Sequence, residues 1–230
     1  MLAAVGSVCL AQEVRESPYR YKIAYATHIG GSGDEQLREV IPAADGSVLV
    51  GGQTSSPDLP VTPGAVQSKY GGEPAGRGHP GTYGGDCFLM RLSADGGKVL
   101  ACTYFGGSKQ ERNVYGMALG RKGNVVITSA TRSPDLPTTA GAFQRKYGGG
   151  ASDWMVAKIS GDLKRLIWCT YVGGDGDDFP RGGLGLRDGG DCPAGDIGTL
   201  RPSVAMAGID SGGGLQGQAA GHYGTDNQIE

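Results

Sequence analysis

Short runs of strand-forming residues, separated by glycine-rich turns, follow one another through the middle of the chain. Residues 88–92 and 99–105 flank residues 94–97, whose Asp-Gly sequence favours a tight hairpin. Residues 114–119 and 125–128 flank a second glycine-rich turn. We expect these two hairpins, followed by a loop of about 20 residues, to form one four-stranded antiparallel unit.

The chain contains an internal repeat, which is the signature of a tandem architecture. Residues 54–72 return as residues 131–149 with 14 of 19 positions identical, at an offset of 77. Residues 86–107 return as residues 153–174 at an offset of 67. The difference of 10 indicates an insertion in the first copy, and its Gly, Pro and His content predicts a surface loop. An earlier copy of the Thr-Tyr-x-Gly-Gly turn occupies residues 27–31.

Tandem four-stranded units are typical of the blades of a β-propeller. The Tyr-x-Gly-Gly turn, the Asp-Gly hairpin, the Thr-Ser-Ser-Pro-Asp-Leu-Pro loop and the Asp-x-Phe-x-x-x-Leu strand within residues 21–186 together resemble the bacterial β-propeller repeat called SBBP. The resemblance implies an all-β fold, namely an incomplete β-propeller of about two four-stranded antiparallel blades with part of a third. It also implies an exported or cell-surface protein, and the family has no known catalytic residues.

The repeated Pro-rich loop is predicted to leave the sheet, because Pro57, Pro60 and their counterparts fix φ and remove hydrogen-bond donors. We expect one helical turn at residues 64–67 and at residues 141–144, with Val66 or Phe143 filling the gap between blades. In the strands we expect four large residues to be buried: Phe88, Leu92, Val156 and Ile159.

The two ends of the chain depart from the repeats, which we place at residues 20–190. Residues 2–10 form a short apolar, small-residue run before polar residues, so residues 1–19 are assigned to a signal-peptide-like segment and linker. Residues 191–230 show no strand alternation, which predicts a disordered tail. A frameshift is the alternative, because codons read one base later from Gly189 permit a copy of residues 46–60.

The amino-acid composition of the chain argues against nucleic acid as a partner and against insertion into a membrane. The 44 glycines and 12 prolines among 230 residues fit many tight turns, and 38% hydrophobic residues leave enough for a core. A net charge of −2 gives no basic footprint for nucleic acid, and no apolar run is long enough to span a membrane. Propellers close with about 4 to 8 blades, so two blades leave open edges that favour self-association.

The cysteines and histidines offer no recognisable catalytic constellation. His28 aligns with Tyr104 and Tyr171 of the repeat, while His79 lies in the insertion and His222 in the tail. None has a Ser, Cys or Asp partner in a triad pattern, so we assign no catalytic residue and no cofactor site. No Cys-x-x-Cys pair occurs, and we expect the five cysteines to be buried as small hydrophobic residues: Cys9, Cys87, Cys102, Cys169 and Cys192.

Acidic residues on glycine-rich turns are the better candidates for ion binding. Residues 30–35 and 173–178 place carboxylates where Ca²⁺ ligands are often found. The middle copy, residues 106–111, has Lys109 where an acid is needed. We therefore favour a turn-forming role over calcium, and we assign no metal ligand.

These patterns lead to one main functional hypothesis and two alternatives. The first is a non-enzymatic propeller segment of an exported or surface protein, which binds an unknown protein or carbohydrate and acts in adhesion or scaffolding. The second is a fragment of a secreted propeller enzyme, such as a lyase or glycan hydrolase. The third is an oligomeric lectin, which is less favoured because aromatic residues make up only 7% of the chain.

Overall fold

The computed structural model describes residues 23, 25–73, 85–120, 122–186 and 204–208. Within these residues all regular secondary structure is β-strand, and no helix is long and apolar enough to cross a membrane. The segment at 1–19, the centre of the insertion at 74–84 and most of 191–230 lie outside the described residues. The hypotheses made for those segments therefore stay predictions.

Ten strands form three antiparallel sheets. The first sheet has the order β1-β2-β3-β4, the second β5-β6-β7-β8, and the third consists of β9 and β10. The strands are β1 Glu35–Pro42, β2 Val48–Thr54, β3 Asp86–Leu92, β4 Val99–Phe105, β5 Gly116–Leu119, β6 Val125–Thr131, β7 Asp153–Ile159, β8 Leu166–Val172, β9 Pro180–Leu186 and β10 Val204–Gly208. The expectation of an all-β fold with two four-stranded antiparallel sheets is confirmed.

The grouping of the hairpins differs from the prediction. The β3–β4 hairpin completes the first sheet and the β5–β6 hairpin begins the second, so the Pro-rich loop connects the second and third strands within a sheet. Hydrogen bonds decide this division. Glu111 bridges to Thr131, and Arg112 N donates to Ala130 O at 2.8 Å, so the chain joins β6 as soon as it leaves β4.

The first and second sheets stack face to face. We call the face that carries Val50 in the first sheet, and Ile127 in the second, the leading face, and the opposite face of each sheet the trailing face. The trailing face of the first sheet includes Leu49, Leu89 and Phe105. It shares one buried core with the leading face of the second sheet, which includes Ile127, Met155 and Tyr171. Because both faces of a sheet pack, strand β3 is buried along nearly its whole length instead of alternating between core and solvent.

The residues of the leading face of the first sheet, including Val50, Phe88 and Met90, form a separate buried cluster. Residues of the Pro-rich loop and Ile29 pack against it. On the second sheet, the trailing face carries Val126, Val156 and Trp168, and these also are buried.

The predicted core residues are confirmed as buried: Phe88, Leu92, Val156 and Ile159. Leu92 and Ile159 are counterparts in the repeat, whereas Phe88 corresponds to Met155 and Val156 to Leu89. The expectation for the cysteines is confirmed at Cys87, Cys102 and Cys169, which are buried and free. Cys9 and Cys192 lie outside the described residues.

The predicted helical turns are wrong. At residues 62–65 the chain forms a β-turn in which Ala65 N donates to Thr62 O at 3.2 Å. Gly64 has φ +80° and Gly141 has φ +91°, and this left-handed backbone ends a right-handed turn before it can propagate. Val66 packs on the core between the sheets, but Phe143 is 58% exposed and fills no gap.

The first strand of the third sheet continues the repeat, because Leu186 is the counterpart of Leu119. Leu119 pairs with Val125 in the second sheet, and Leu186 pairs with Val204 in the third. Strand β9 contacts both β5 and β6. Strand β10 comes from the segment that was predicted to be a tail, so at least residues 204–208 of that segment form a strand.

Candidate functional site

Hydrogen-bonded carboxyl groups recur at the junctions between the sheets. Within the described residues they form the largest networks of polar side chains. The Glu111 carboxylate accepts hydrogen bonds from Thr131 Oγ1 at 2.7 Å, from Ser133 Oγ at 2.5 Å and from Gly107 N at 3.0 Å. Thr131 and Ser133 belong to the end of β6 and the loop that follows it. Glu111 therefore fastens the Gly-Gly turn to the start of the Pro-rich loop.

The same arrangement occurs one repeat earlier. Glu35, the counterpart of Glu111, accepts hydrogen bonds from Thr54 Oγ1 at 2.7 Å, from Ser56 Oγ and from Gly31 N at 3.1 Å. In the following repeat Asp178 accepts a hydrogen bond from Gly174 N at 2.6 Å. The acidic residue after each Gly-Gly turn therefore has a shared role in closing that turn.

A second set of acids begins the third strand of the first sheet and of the second. Asp86 Oδ2 accepts hydrogen bonds from Gln67 Nε2 at 2.7 Å and Gly71 N at 2.8 Å. Gln67 Oε1 in turn accepts a hydrogen bond from Gly106 N at 2.9 Å. This network joins the end of the Pro-rich loop to the turn that leaves the sheet.

Its counterpart in the second sheet is centred on Asp153. Asp153 Oδ2 accepts hydrogen bonds from Gly148 N at 2.6 Å and Gln144 Nε2 at 3.4 Å, and Gln144 Oε1 accepts one from Gly173 N at 3.0 Å. The roles of these Asp and Gln residues were not predicted from the sequence. Their identity in both copies of the repeat was the available signal.

The two sets of acids meet at each junction. A Cβ atom on Gly106 would lie 2.0 Å from Glu111 Oε2 and 3.0 Å from Asp86 Oδ1, so both carboxyl groups approach the same glycine. At the next junction, a Cβ atom on Gly173 would lie 2.5 Å from Asp153 Oδ1 and 2.9 Å from Asp178 Oδ2. Only glycine leaves room for two carboxyl groups here.

Burial changes the protonation of these acids. Desolvation raises the pKa of Glu111 to about 8 and the pKa of Asp86 to about 6, although both accept hydrogen bonds that oppose the shift. Burial also raises the pKa of Asp153. Both side chains are out of contact with solvent, and the hydrogen bonds that they accept come from neighbouring strands, turns and loops.

At the acidic turns considered for calcium, nearby carboxylates accept hydrogen bonds from N–H and O–H groups of the protein itself. Asp58 Oδ1 accepts hydrogen bonds from Ser32 N at 2.8 Å and Ser32 Oγ at 2.9 Å, which lower the pKa of Asp58. Asp135 and Asp177 accept backbone N–H groups of Ser108 and Ala151. The described residues hold no group of three or more His, Cys, Asp or Glu side chains placed to bind a metal.

Of the three histidines, the structure describes only His28. His28 is exposed, and His79 and His222 lie outside the described residues. The repeat counterparts of His28 have a structural role. Tyr104 Oη accepts from Leu59 N at 2.9 Å and donates to Ser56 O at 2.8 Å, and Tyr171 binds the second copy of the loop in the same way.

The accessible candidate is a groove of about 570 Å³ between the first sheet and the turns of the second. Its lining includes Arg91, Leu100 and Ala101 from the first sheet, and Lys122 and residues 160–164 from two turns of the second. Three cationic side chains face one carboxylate, that of Asp162. Leu100 adds an apolar surface that is half exposed.

Neighbouring groups partly position the charges of this groove. Arg91 Nη1 donates to Ser47 Oγ at 3.0 Å and lies 3.6 Å from Asp45 Oδ2. Asp162 accepts hydrogen bonds from Ser160 Oγ and Lys164 N, which lower the pKa of Asp162. The arrangement leaves a positively charged cleft that is suited to an anionic ligand.

Two comparisons with known proteins bear on the family. No protein-family model matches the chain, and no curated protein matches it either. The resemblance to the SBBP repeat therefore rests on the motifs in the sequence, and it enters only the proposal that follows.

Proposed function

We propose that the chain is a non-enzymatic β-propeller segment of the SBBP type, from an exported or cell-surface protein, which serves as a scaffold and binds anionic ligands. The observation that carries the non-enzymatic part is the recurrence of the hydrogen-bonded acids. Glu35 and Glu111 bind the same partners in successive repeats, as do Asp86 and Asp153. A unique active site would break such a repetition.

The stacking of the sheets supports the propeller part of the proposal. The first sheet packs its trailing face on the leading face of the second, and β5 contacts both β1 and β9. When sheets are arranged around a common axis, their first strands lie beside one another, as β1, β5 and β9 do here. An arc of such sheets leaves its turns and loops free for binding, while the strands form a rigid support.

The groove supports binding of an anion. Lys122 and Lys164 come from different turns, and Arg91 comes from the other sheet. A ligand in this cleft would therefore contact both sheets. Sulfated or uronate-bearing polysaccharides carry repeated anionic groups and match the charge of the groove.

The test is binding to immobilised dextran sulfate, polygalacturonate and neutral dextran, together with assays for ester and glycan cleavage. We expect salt-sensitive binding to the charged polymers, no binding to neutral dextran and no turnover. The variant Lys122→Glu/Lys164→Glu should lose binding. A matched control, Lys69→Glu/Lys146→Glu, changes the same charge at exposed lysines outside the groove and should keep it.

Two results would overturn the proposal. Equal loss of binding in both variants would show that net charge, and not the groove, attracts the polymer. Hydrolysis or elimination of any polymer by the purified chain, lost after substitution of a single residue, would instead support the enzyme alternative.

A further inference from the structure

The exposed apolar residues at the two ends of the stack are counterparts of residues that meet at the junction between the first and second sheets. Val40 pairs with Val50 in the first sheet as Met117 pairs with Ile127 in the second, so Val40 and Met117 occupy the same place. Leu37 precedes Val40 by three residues, as Val114 precedes Met117. Within the junction Val114 and Met117 are 0% and 5% exposed, whereas Leu37 and Val40 are 44% and 55% exposed.

The contacts of the buried pair show what kind of surface covers such residues. A Cβ atom on Gly51 would lie 3.1 Å from Met117 Sδ and 3.6 Å from Val114 Cγ1. The side chains of the second sheet therefore rest on strand β2 of the first. By the same geometry, Leu37 and Val40 require the trailing face of a sheet of this kind.

The opposite end of the stack carries the complementary exposed residues. Val66 is packed in the junction, where its N donates to Leu163 O at 2.9 Å and its side chain shares a groove with Leu166. Phe143 is the counterpart of Val66 in the next repeat and is 58% exposed. The described part of the third sheet consists of β9 and β10 and includes no fourth strand that would cover Phe143.

The segment that precedes β1 has the sequence pattern of a fourth strand, the strand that would cover Phe143. By repeat alignment residues 23–29 correspond to β4, and Ile29 packs on the leading face of the first sheet as Phe105 packs on that of the second. Ile23 corresponds to Leu166, the neighbour of Val66, and is 81% exposed. Ile23 and Phe143 are therefore counterparts of two residues that meet in the junction, Leu166 and Val66, and they lie at opposite ends of the stack.

We propose that copies of this chain associate head to tail, with the first sheet and residues 23–29 of one copy packed on the third sheet and the Phe143 loop of the next. The contact is heterologous, because it joins two different surfaces of the chain. It repeats between copies the junction that the chain forms between its own sheets. The association ends in a ring if the rotation per copy closes, and in an open polymer if it does not.

The first test measures the mass of the chain in solution over a wide range of concentration by sedimentation equilibrium. We expect the average mass to rise to at least twice that of one chain. Leu37→Glu/Val40→Glu and Phe143→Glu should each remain monomeric at concentrations where the wild type associates. Leu100→Glu is the control, because Leu100 is half exposed but lies at neither end of the stack.

The decisive test mixes the two defective variants in equal amounts. Each retains one intact end, so a head-to-tail contact predicts that the mixture forms a dimer and stops there. An unchanged melting temperature shows that the variants are folded, and Val40→Ser is a milder variant if they are not. A wild type that stays monomeric at every concentration, a mixture that stays monomeric, or Leu100→Glu acting like the end variants would overturn the proposal.

Discussion

Two buried acidic residues, Asp86 and Glu111, have pKa values well above the ordinary range. Asp86 and Glu111 each accept hydrogen bonds from neighbouring groups, and both carboxyl groups also approach Gly106. Burial raises the pKa of both, so the folded chain binds protons more strongly than the unfolded chain. These acids therefore make the stability of the sheet junction depend on pH.

The sign of this dependence follows from proton linkage. Where the folded state holds more protons than the unfolded state, the free energy of unfolding falls as pH rises. The Glu111 pKa is raised from 4.5 to about 8 and the Asp86 pKa from 3.8 to about 6. We expect the urea midpoint to fall steadily between pH 4 and pH 8.

The matched variants are Glu111→Gln and Glu73→Gln. Glu111→Gln removes the titrating group with little change of shape, so its urea midpoint should vary less with pH than that of the wild type. Glu73 is half exposed and pairs with Lys109 at the surface, so its variant should keep the wild-type slope. A wild-type midpoint that rises over this range would contradict the assignment.

Leu163 combines a buried side chain with an unfavourable backbone. It has φ 58°, the only positive φ of a non-glycine residue among those described, and its repeat counterpart is Gly96 with φ 69°. The left-handed region costs about 1–2 kcal/mol for a residue with a Cβ. The Leu163 side chain is fully buried in the core shared by the two sheets, and this contact offsets the strain.

We predict that Leu163→Ala loses about 2–5 kcal/mol of stability, because it removes the buried side chain and keeps the strained backbone. Leu163→Gly removes the same contacts but relieves the strain. It should be at least as stable as Leu163→Ala, the reverse of the usual order of these two residues in regular structure. Urea denaturation of the two variants checks this, and a clearly less stable glycine variant would contradict it.

At the scale of the element, the Pro-rich loop is held by one tyrosine in each sheet. The hydroxyls of Tyr104 and Tyr171 each bind a backbone N–H and a carbonyl of the loop that joins the second and third strands. The loop returns β3 beside β2 over seven residue pairs. The tyrosine hydroxyl therefore helps to keep the connection within the sheet.

Tyr104→Phe and Tyr171→Phe should each cost about 1–3 kcal/mol, because two buried backbone groups lose their partner while the ring remains in place. The loop in the altered sheet should also become more sensitive to proteases than the loop in the other sheet. Thermal unfolding and limited proteolysis measure the two effects. Tyr25→Phe is the control at a partly exposed ring, and an equal loss there would show that the loop contacts are not the cause.

At the scale of the whole molecule, the stack continues into a third sheet whose second strand comes from the segment predicted to be a disordered or frameshifted tail. Strand β10 pairs antiparallel with β9. Two truncated chains separate the strand from the rest of the segment. A chain ending at residue 208 keeps β10, and one ending at residue 203 removes it.

We expect the chain that ends at residue 208 to melt close to the full-length temperature. The chain that ends at residue 203 should melt lower, because β9 loses its partner on the trailing side of the second sheet. Trp168 is buried on that side, so its fluorescence should also shift to the red. Equal melting of the two truncated chains would instead support a disordered or frameshifted segment beginning before β10.

The strand content, the turns and the repeat could be deduced from the order of the residues alone. Period and turn chemistry are local properties, so residues 88–92 and 99–105 were correctly predicted to form a hairpin. The burial of Cys87, Cys102 and Cys169 could be predicted for the same reason, because apolar runs bounded by turns predict a core.

The grouping of the strands into sheets and the surroundings of the acids depend on contacts between distant parts of the chain. Hydrogen bonds from Glu111 and Arg112 to the strand β6 place the sheet boundary between β4 and β5, and no local pattern marks that boundary. Asp86 and Glu111 are 25 positions apart in the chain, and their meeting depends on the stacking of two sheets. Their raised pKa values follow from the burial that stacking produces. Desolvation depends on every element packed around a group, so it cannot be deduced from the residues adjacent to that group in sequence.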